Sequence, residues 1–258
     1  MISKISKIKS LKKRSKIVCL TAYSKNIAQS IDKYTDIILV GDSLGSTLYS
    51  FKSTRSVTLE MMIRHSISVR QGISNSLMIV DMPYNTYNNP SQALKNCKKV
   101  MKLTKCDGVK IEGGFKKIKI IKHLIKNKIP IMGHLGILPQ STKGKFKSKG
   151  KSIKERNELI RDCKILEDAG VFSIVLECVE SNLARHITNL IKIPTIGIGS
   201  SNNCDGQILV IDDILGLTES KMKFVKKYAD VKKIIAFGAK KFKKEVKSKK
   251  YPSQKHSY

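Results

Sequence analysis

The chain has no tryptophan, and aromatic residues make up only 6% of its 258 residues. Arginine is scarce too: seven of the 50 basic residues, which leaves 43 lysines. Proteins that read nucleic acid draw on arginine for bidentate base contacts and on aromatic rings for stacking. A net charge of +30 would otherwise raise that class; without those partners it is a poor pointer to it. The lysines are spread over nearly every expected helix, and a drift toward AT-rich codons accounts for them with no role attached. No apolar run nears the roughly 20 residues needed to cross a bilayer. The first 16 residues are basic but hold no apolar core of a secretory signal. The six cysteines (19, 97, 106, 163, 178 and 204) are scattered with no CxxC pair. That spacing disfavours a disulfide framework or zinc site and suits a reducing cytoplasm. No GxGxxG follows a strand, no Walker A motif occurs, and Gly197-x-Gly199 is too short for a dinucleotide fingerprint.

What is present is a repeated device. Ile37–Val40 is an apolar run that stops in Gly41-Asp42-Ser43. Leu77–Asp81, Gly108–Glu112 and Ser173–Glu177 likewise run apolar and stop on an acid. Short apolar runs bounded by turn residues read as buried strands. Further strands are expected at 17–21, 130–134, 194–198 and 208–211. Helical patterns fall between them, at about 25–34, 58–72, 91–105, 116–127, 153–169 and 182–191. Thr58 and Ser91 are the expected N-caps, and Gly72 and Gly170 the expected stops. Eight strands alternating with helices give a (β/α)8 TIM barrel as one domain, with an open doubly wound sheet as runner-up. Residues 1–16 form a basic N-terminal segment, and 17–258 the barrel with a helical tail. The apolar spacing over 223–249 suits an amphipathic helix pair.

In a parallel barrel the strand-terminal acids converge on one mouth. Asp42, Asp81 and Glu112 end three successive strands, an oxygen donor set suited to a hard cation such as Mg²⁺. The plainer alternative is that they cap helices or sit solvated. Side chains alternate along a strand, so Val40, Ile79 and Lys110 should share their faces. Lys110 could then hold a substrate carboxylate, or merely snorkel toward a neighbouring acid. His134 ends strand five, as a structural hydrogen-bonding residue or a supporting member of the site. Glu177 is a candidate general base, with a salt bridge to a basic loop as its alternative. Cys178 lacks any activating pattern.

A set of segments in order carries a stronger signal: Thr21-Ala22-Tyr23, Leu39–Gly45, Val109–Gly114, Gly133-His134-Leu135-Gly136 with Pro139-Gln140-Ser141, Val175–Val179, Ile196–Gly199 and Cys204–Gln207. Together with Tyr251-Pro252 and His256-Ser257-Tyr258 they resemble the ketopantoate hydroxymethyltransferase family over roughly 17–258. The resemblance implies a cytoplasmic (β/α)8 enzyme, a bound Mg²⁺ and a homodecamer. It implies hydroxymethyl transfer from 5,10-methylenetetrahydrofolate to 3-methyl-2-oxobutanoate, with ketopantoate for pantothenate as product. It implies Asp42, Asp81 and Glu112 at the metal, and Ser43 and Lys110, with Asp42 and Asp81, at the oxo acid. Glu177 becomes the proton acceptor. The sequence departs from the family pattern at Ser24, Arg55 and Ser200-Ser201-Asn202, and its loop over 142–146 is about two residues short. From the residues alone, two other classes stay open: a metal-dependent aldolase or lyase on another 2-oxo acid, and a nucleic-acid binder.

Overall fold

The structure, a computed structural model, describes residues 3–141 and 147–258. The loop over 142–146, expected to be short for the family, lies outside the described residues. Eight parallel strands close into a barrel in sequence order: β1 Ile17–Thr21, β2 Ile37–Val40, β3 Leu77–Asp81, β4 Gly108–Glu112, β5 Ile131–Gly136, β6 Ser173–Glu177, β7 Thr195–Ile198 and β8 Gly206–Leu209. β8 pairs back to β1, with Ile17 opposite Gly206 and Leu20 opposite Leu209. The expected TIM barrel is therefore the observed one, and the open sheet is excluded. β5 runs two residues further than expected, and β8 begins two residues earlier.

The helices are α1 Lys4–Ser10, α2 Lys25–Ile31, α3 Leu44–Tyr49, α4 Leu59–Arg70, α5 Pro90–Thr104, α6 Ile118–Lys126, α7 Ile153–Ala169, α8 Ser181–Leu190, α9 Ile211–Ile214 and α10 Val231–Lys247. Thr58 caps α4 as expected, accepting from the Met61 N–H. Gly170 stops α7 in a left-handed conformation, φ +96°. Two expected caps are corrected. Asn89, not Ser91, caps α5, because Pro90 supplies the first helical residue with its φ already fixed. Gln71, not Gly72, closes α4. Gly72 serves packing instead: a Cβ there would come within 2.4 Å of the Lys25 carbonyl oxygen.

Strand alternation sets which residues fill the barrel. Ile17, Cys19, Ile37, Leu39, Leu77, Ile79, Met132, Val175, Ile196 and Ile208 form one buried cluster, joined from below by Ile8 of α1. Burying each such aliphatic side chain contributes about 1.5–3 kcal/mol. Lys12 fastens the N-terminal segment through a buried ion pair with Asp205, 2.7 Å, and Lys4 donates to the Ser76 carbonyl, 2.9 Å.

The chain divides into two compact units, Met1–Val210 and Ile211–Tyr258. The second holds α9 and α10 only, with a 3-10 turn near its end. The expected helix pair over 223–249 is one helix, which starts only at Val231; Asp230 just before it pairs with Lys227 and Lys233. Ile234, Ile235, Phe237, Phe242 and Val246 of α10 are exposed. No helix among the described residues is long and apolar enough to cross a membrane.

Candidate active site

The alternation that builds the core also builds the site. Leu77 and Ile79 face the interior, so Asp81 does too. By the same rule Lys110 and Glu112 of β4, His134 of β5 and Glu177 of β6 stand above the core at the C-terminal rim. Register keeps them level: Asp81 pairs with Lys110, Glu112 with His134, and Gly136 with Glu177. Asp42 arrives differently. β2 ends at Val40, and Val40 lies outside the inner cluster, so the expectation that it shares the face of Asp42 fails. The turn after Gly41 carries Asp42 into the mouth instead, where its N–H donates to Asp81 Oδ2 at 3.1 Å.

A chain of charged contacts results. Lys110 Nζ lies 2.9 Å from Asp81 Oδ1 and 3.3 Å from His134 Nδ1. His134 Nδ1 is 3.5 Å from Glu112 Oε1, and its Nε2 is 3.1 Å from Glu177 Oε2. Asp42, Asp81, Lys110, Glu112 and His134 are all buried, whereas the Glu177 side chain is 18% exposed. Ser43, the other expected contact to the oxo acid, shares a 2.8 Å hydrogen bond with the Tyr23 hydroxyl.

Sequence reasoning gave no role to Gln140, yet it ties the mouth together. Its Nε2 donates to Asp42 Oδ2 (2.8 Å) and to the Met82 carbonyl (3.0 Å). Its backbone N–H donates to Glu112 Oε2 (3.1 Å), and its Oε1 accepts from the Tyr87 hydroxyl. Arg55 Nε donates to the Gln140 carbonyl at 2.8 Å. Pro139-Gln140-Ser141 belonged to the resemblance, so position was the available signal. For Tyr87 no signal existed.

The charges are mutually perturbing. Burial, then the neighbouring Asp81 and Glu112, push the Asp42 carboxyl up to about 7 despite Lys110 and Gln140. Burial also raises Asp81, with Lys110 opposing it. Burial alone would lower Lys110, but Asp81, Asp42 and Glu112 outweigh it and hold the ammonium well above its usual range. For His134, burial and Lys110 act downward; hydrogen bonds to Glu112 and Glu177 prevail and raise it to about 9. A doubly protonated ring then faces both glutamates as a charge partner, although its Nε2 makes no well-aligned hydrogen bond among the described residues. Lys110 is a like-charged neighbour that Asp81 restrains. Burial, then Glu177, pushes the Cys178 thiol up to about 11, so it is no nucleophile at neutral pH.

Three buried carboxylates face two cations, a surplus of negative charge that a divalent ion would relieve. Carboxylate oxygens are the donors a hard cation takes, so the donor set fits Mg²⁺. Among the described residues no three His, Cys, Asp or Glu side chains stand together as a ready ligand group. Lys110 draws Asp81 to one side, and Gln140 holds Asp42 and Glu112.

A closed (β/α)8 barrel with titratable side chains from four strands and one turn at its C-terminal rim defines a TIM-barrel enzyme. The solved structures it resembles share that fold: oxaloacetate acetylhydrolase (TM-score 0.63, 13% identity, covering 83% of each chain) and 2,3-dimethylmalate lyase of the PEP mutase/isocitrate lyase superfamily (0.62, 12%, 99% and 93%). Phosphonopyruvate hydrolase, in complex with oxalate and Mg²⁺, is another (0.61, 10%, 99% and 93%). The sequence comparisons go further. The family model for ketopantoate hydroxymethyltransferase matches residues 2–254. A 3-methyl-2-oxobutanoate hydroxymethyltransferase of Pelagibacter ubique (strain HTCC1062) is 62% identical over 247 residues, 96% of each chain. One from Anaplasma marginale (strain St. Maries) is 43% identical over 260 residues, 100% of this chain and 94% of the relative. The chain belongs to the ketopantoate hydroxymethyltransferase family and is a hydroxymethyltransferase.

Proposed function

We propose that the protein transfers a hydroxymethyl group from 5,10-methylenetetrahydrofolate to C3 of 3-methyl-2-oxobutanoate, giving ketopantoate for pantothenate synthesis. The relatives' name supports the oxo acid. The observation that carries the chemistry is Glu177: it is the accessible carboxylate of the cluster, oriented at 3.1 Å by His134. Glu177 takes the C3 proton, and the imidazolium of His134 keeps its carboxylate in place. Lys110, held at the rim by Asp81, meets the substrate carboxylate, and Ser43 lies beside it. Asp42, Asp81 and Glu112 would hold Mg²⁺; when bound, it supplies Lewis-acid polarisation of the 2-oxo group. The deprotonated C3 then bonds to the folate-borne methylene carbon. Water supplies the hydroxyl oxygen at that carbon, its remaining carbon–nitrogen bond to folate breaks, and tetrahydrofolate leaves with the nitrogen protonated.

The same reading makes the protein a homo-oligomer, a decamer by resemblance, and the exposed apolar residues of α10 supply a face for such contacts. Its cysteines are all free thiols, which suits a reducing cytoplasm.

The test is turnover with 3-methyl-2-oxobutanoate, Mg²⁺ and methylenetetrahydrofolate. Product should depend on folate; product made equally without it overturns the assignment in favour of a lyase-type reaction. In D₂O without folate, NMR should follow loss of the C3 proton. Glu177→Gln should slow that exchange by about 10²–10⁴-fold while the oxo acid still binds. Exchange at the wild-type rate would move the role of base elsewhere, with His134 the first substitute.

A further inference from the structure

Arginine is scarce in this chain, so the drift that accounts for the lysines does not account for Arg55, where the sequence also departs from the family pattern. The residue is half-buried, and among the described residues its guanidinium meets no carboxylate. Its contacts are of another kind. Nε donates to the Gln140 carbonyl at 2.8 Å, and the guanidinium carbon lies 4.7 Å from the centroid of the Tyr84 ring. A planar cation can lie over a ring and still donate from its edge; an ammonium has no such plane.

These contacts join three connections at the C-terminal rim, where barrel enzymes build their sites. Arg55 belongs to the connection between β2 and α4, in the 3-10 turn Thr54–Ser56. Two residues on, Val57 is buried against α3: a Cβ at Gly45 would come within 2.6 Å of its side chain. Tyr84 follows β3, in a segment fastened to β4 by the Met82 N–H, which donates to the Lys110 carbonyl at 3.0 Å. Gln140 follows β5.

We propose that Arg55 is a positioning residue for the reaction: it fixes the backbone of Gln140 and, through Gln140, the carboxylates of Asp42 and Glu112. The proposal rests on the Mg²⁺ reading above. The Gln140 N–H and side-chain amide are bound to the two carboxylates. With those bonds alone, Gln140 would follow the carboxylates rather than orient them. Arg55 holds the carbonyl on the other side of the same Cα, so both backbone torsions of Gln140 are set from outside the site. The far end of the hold is the 82–84 segment, which meets Arg55 at Tyr84 and the Gln140 amide at the Met82 carbonyl.

The test compares Arg55→Leu, Arg55→Lys, Gln140→Ala and Arg55→Leu with Gln140→Ala. Two quantities are read: Mg²⁺ affinity by titration calorimetry with the metal alone, and folate-independent C3 proton exchange in D₂O. Arg55→Leu should weaken Mg²⁺ binding about fivefold to tenfold, the worth of one hydrogen bond from a charged donor. Arg55→Lys should lose as much; wild-type affinity there would reduce the role to charge and overturn the proposal. Because Arg55 acts through Gln140, the double variant should fall short of the product of the single losses by about threefold or more. Losses that multiply in full overturn the proposal. Saturating Mg²⁺ should return exchange in Arg55→Leu to within about threefold of wild type by mass action. Exchange that stays low would mean general damage to the mouth and overturn the positioning role. A wild type that neither binds Mg²⁺ nor needs it for exchange would instead overturn the metal reading itself.

Discussion

Gln140 is a neutral amide set among charges, and every polar atom of it is engaged. Replacing it with alanine leaves Asp42 Oδ2 and the Tyr87 hydroxyl without the partner each now has, although the backbone bond to Glu112 can persist. Groups that orient metal-ligating side chains typically change affinity by about 10–100-fold when removed. Gln140→Ala should therefore weaken Mg²⁺ binding by that order, measured by titration calorimetry on the full protein. Tyr87→Phe should act in the same direction and less strongly, since the amide still reaches Asp42. Wild-type Mg²⁺ affinity in Gln140→Ala would separate Gln140 from the carboxylates it touches. The residue scale also marks how far the sequence could be read. Asp81, Glu112 and Glu177 were legible because each stops an apolar run. His134 was legible as a position, but its two glutamate partners depend on register between strands distant in sequence. Gln140 and Tyr87 come from loops, where no periodicity tells which way a side chain turns.

At the scale of elements, the barrel was legible because parallel strands buried on both faces read as continuous apolar runs. The ends of elements were less so, for local reasons: Pro90 moved the cap of α5 to Asn89, and the close approach of α2 claimed Gly72 for packing. Asp32 was overlooked altogether, since an acid inside an expected helix looks like a solvated one. It is 6% exposed and organises the loop before β3. Its carboxylate accepts from the N–H groups of Ser74, Asn75 and Ser76, each at 2.9 Å. Burial acts to raise its pKa, but these bonds outweigh it and bring the group down from 3.8 to about 2. A folded-state value below the unfolded one contributes stability above pH about 4, and that contribution fades as pH falls toward about 2. Asp32→Asn should thus cost about 2 kcal/mol at pH 7. The gap from wild type should narrow steadily in urea unfolding repeated from pH 5 down to pH 2.5. A gap constant with pH would assign the loss to shape rather than charge.

On the scale of the whole molecule, the charge and α10 oppose each other. Copies bearing +30 each repel, and salt within the physiological range screens that repulsion over about 8–10 Å. In the proposed oligomer the exposed stripe of α10 would act the other way, through apolar contact. Phe237→Asp combined with Phe242→Asp should lower the mass found by light scattering and leave the far-ultraviolet helical signal in place. An unchanged mass would remove α10 from the assembly contact.

The barrel closes where its last strand meets its first. β8 is paired to β7 only through Ile196 with Gly206 and Gly197 with Gln207, and to β1 along Ile17–Leu20. Lys16 holds the approach to β8 by donating to the carbonyls of Asn202 and Cys204, 2.9 and 2.6 Å. A closed sheet presents no unpaired strand to its neighbours. A seam that parted would present two at once, rows of N–H and C=O groups that template pairing between chains. The shortest ladder of the barrel is therefore also its weakest guard against aggregation, and a lysine that touches no substrate stands over it.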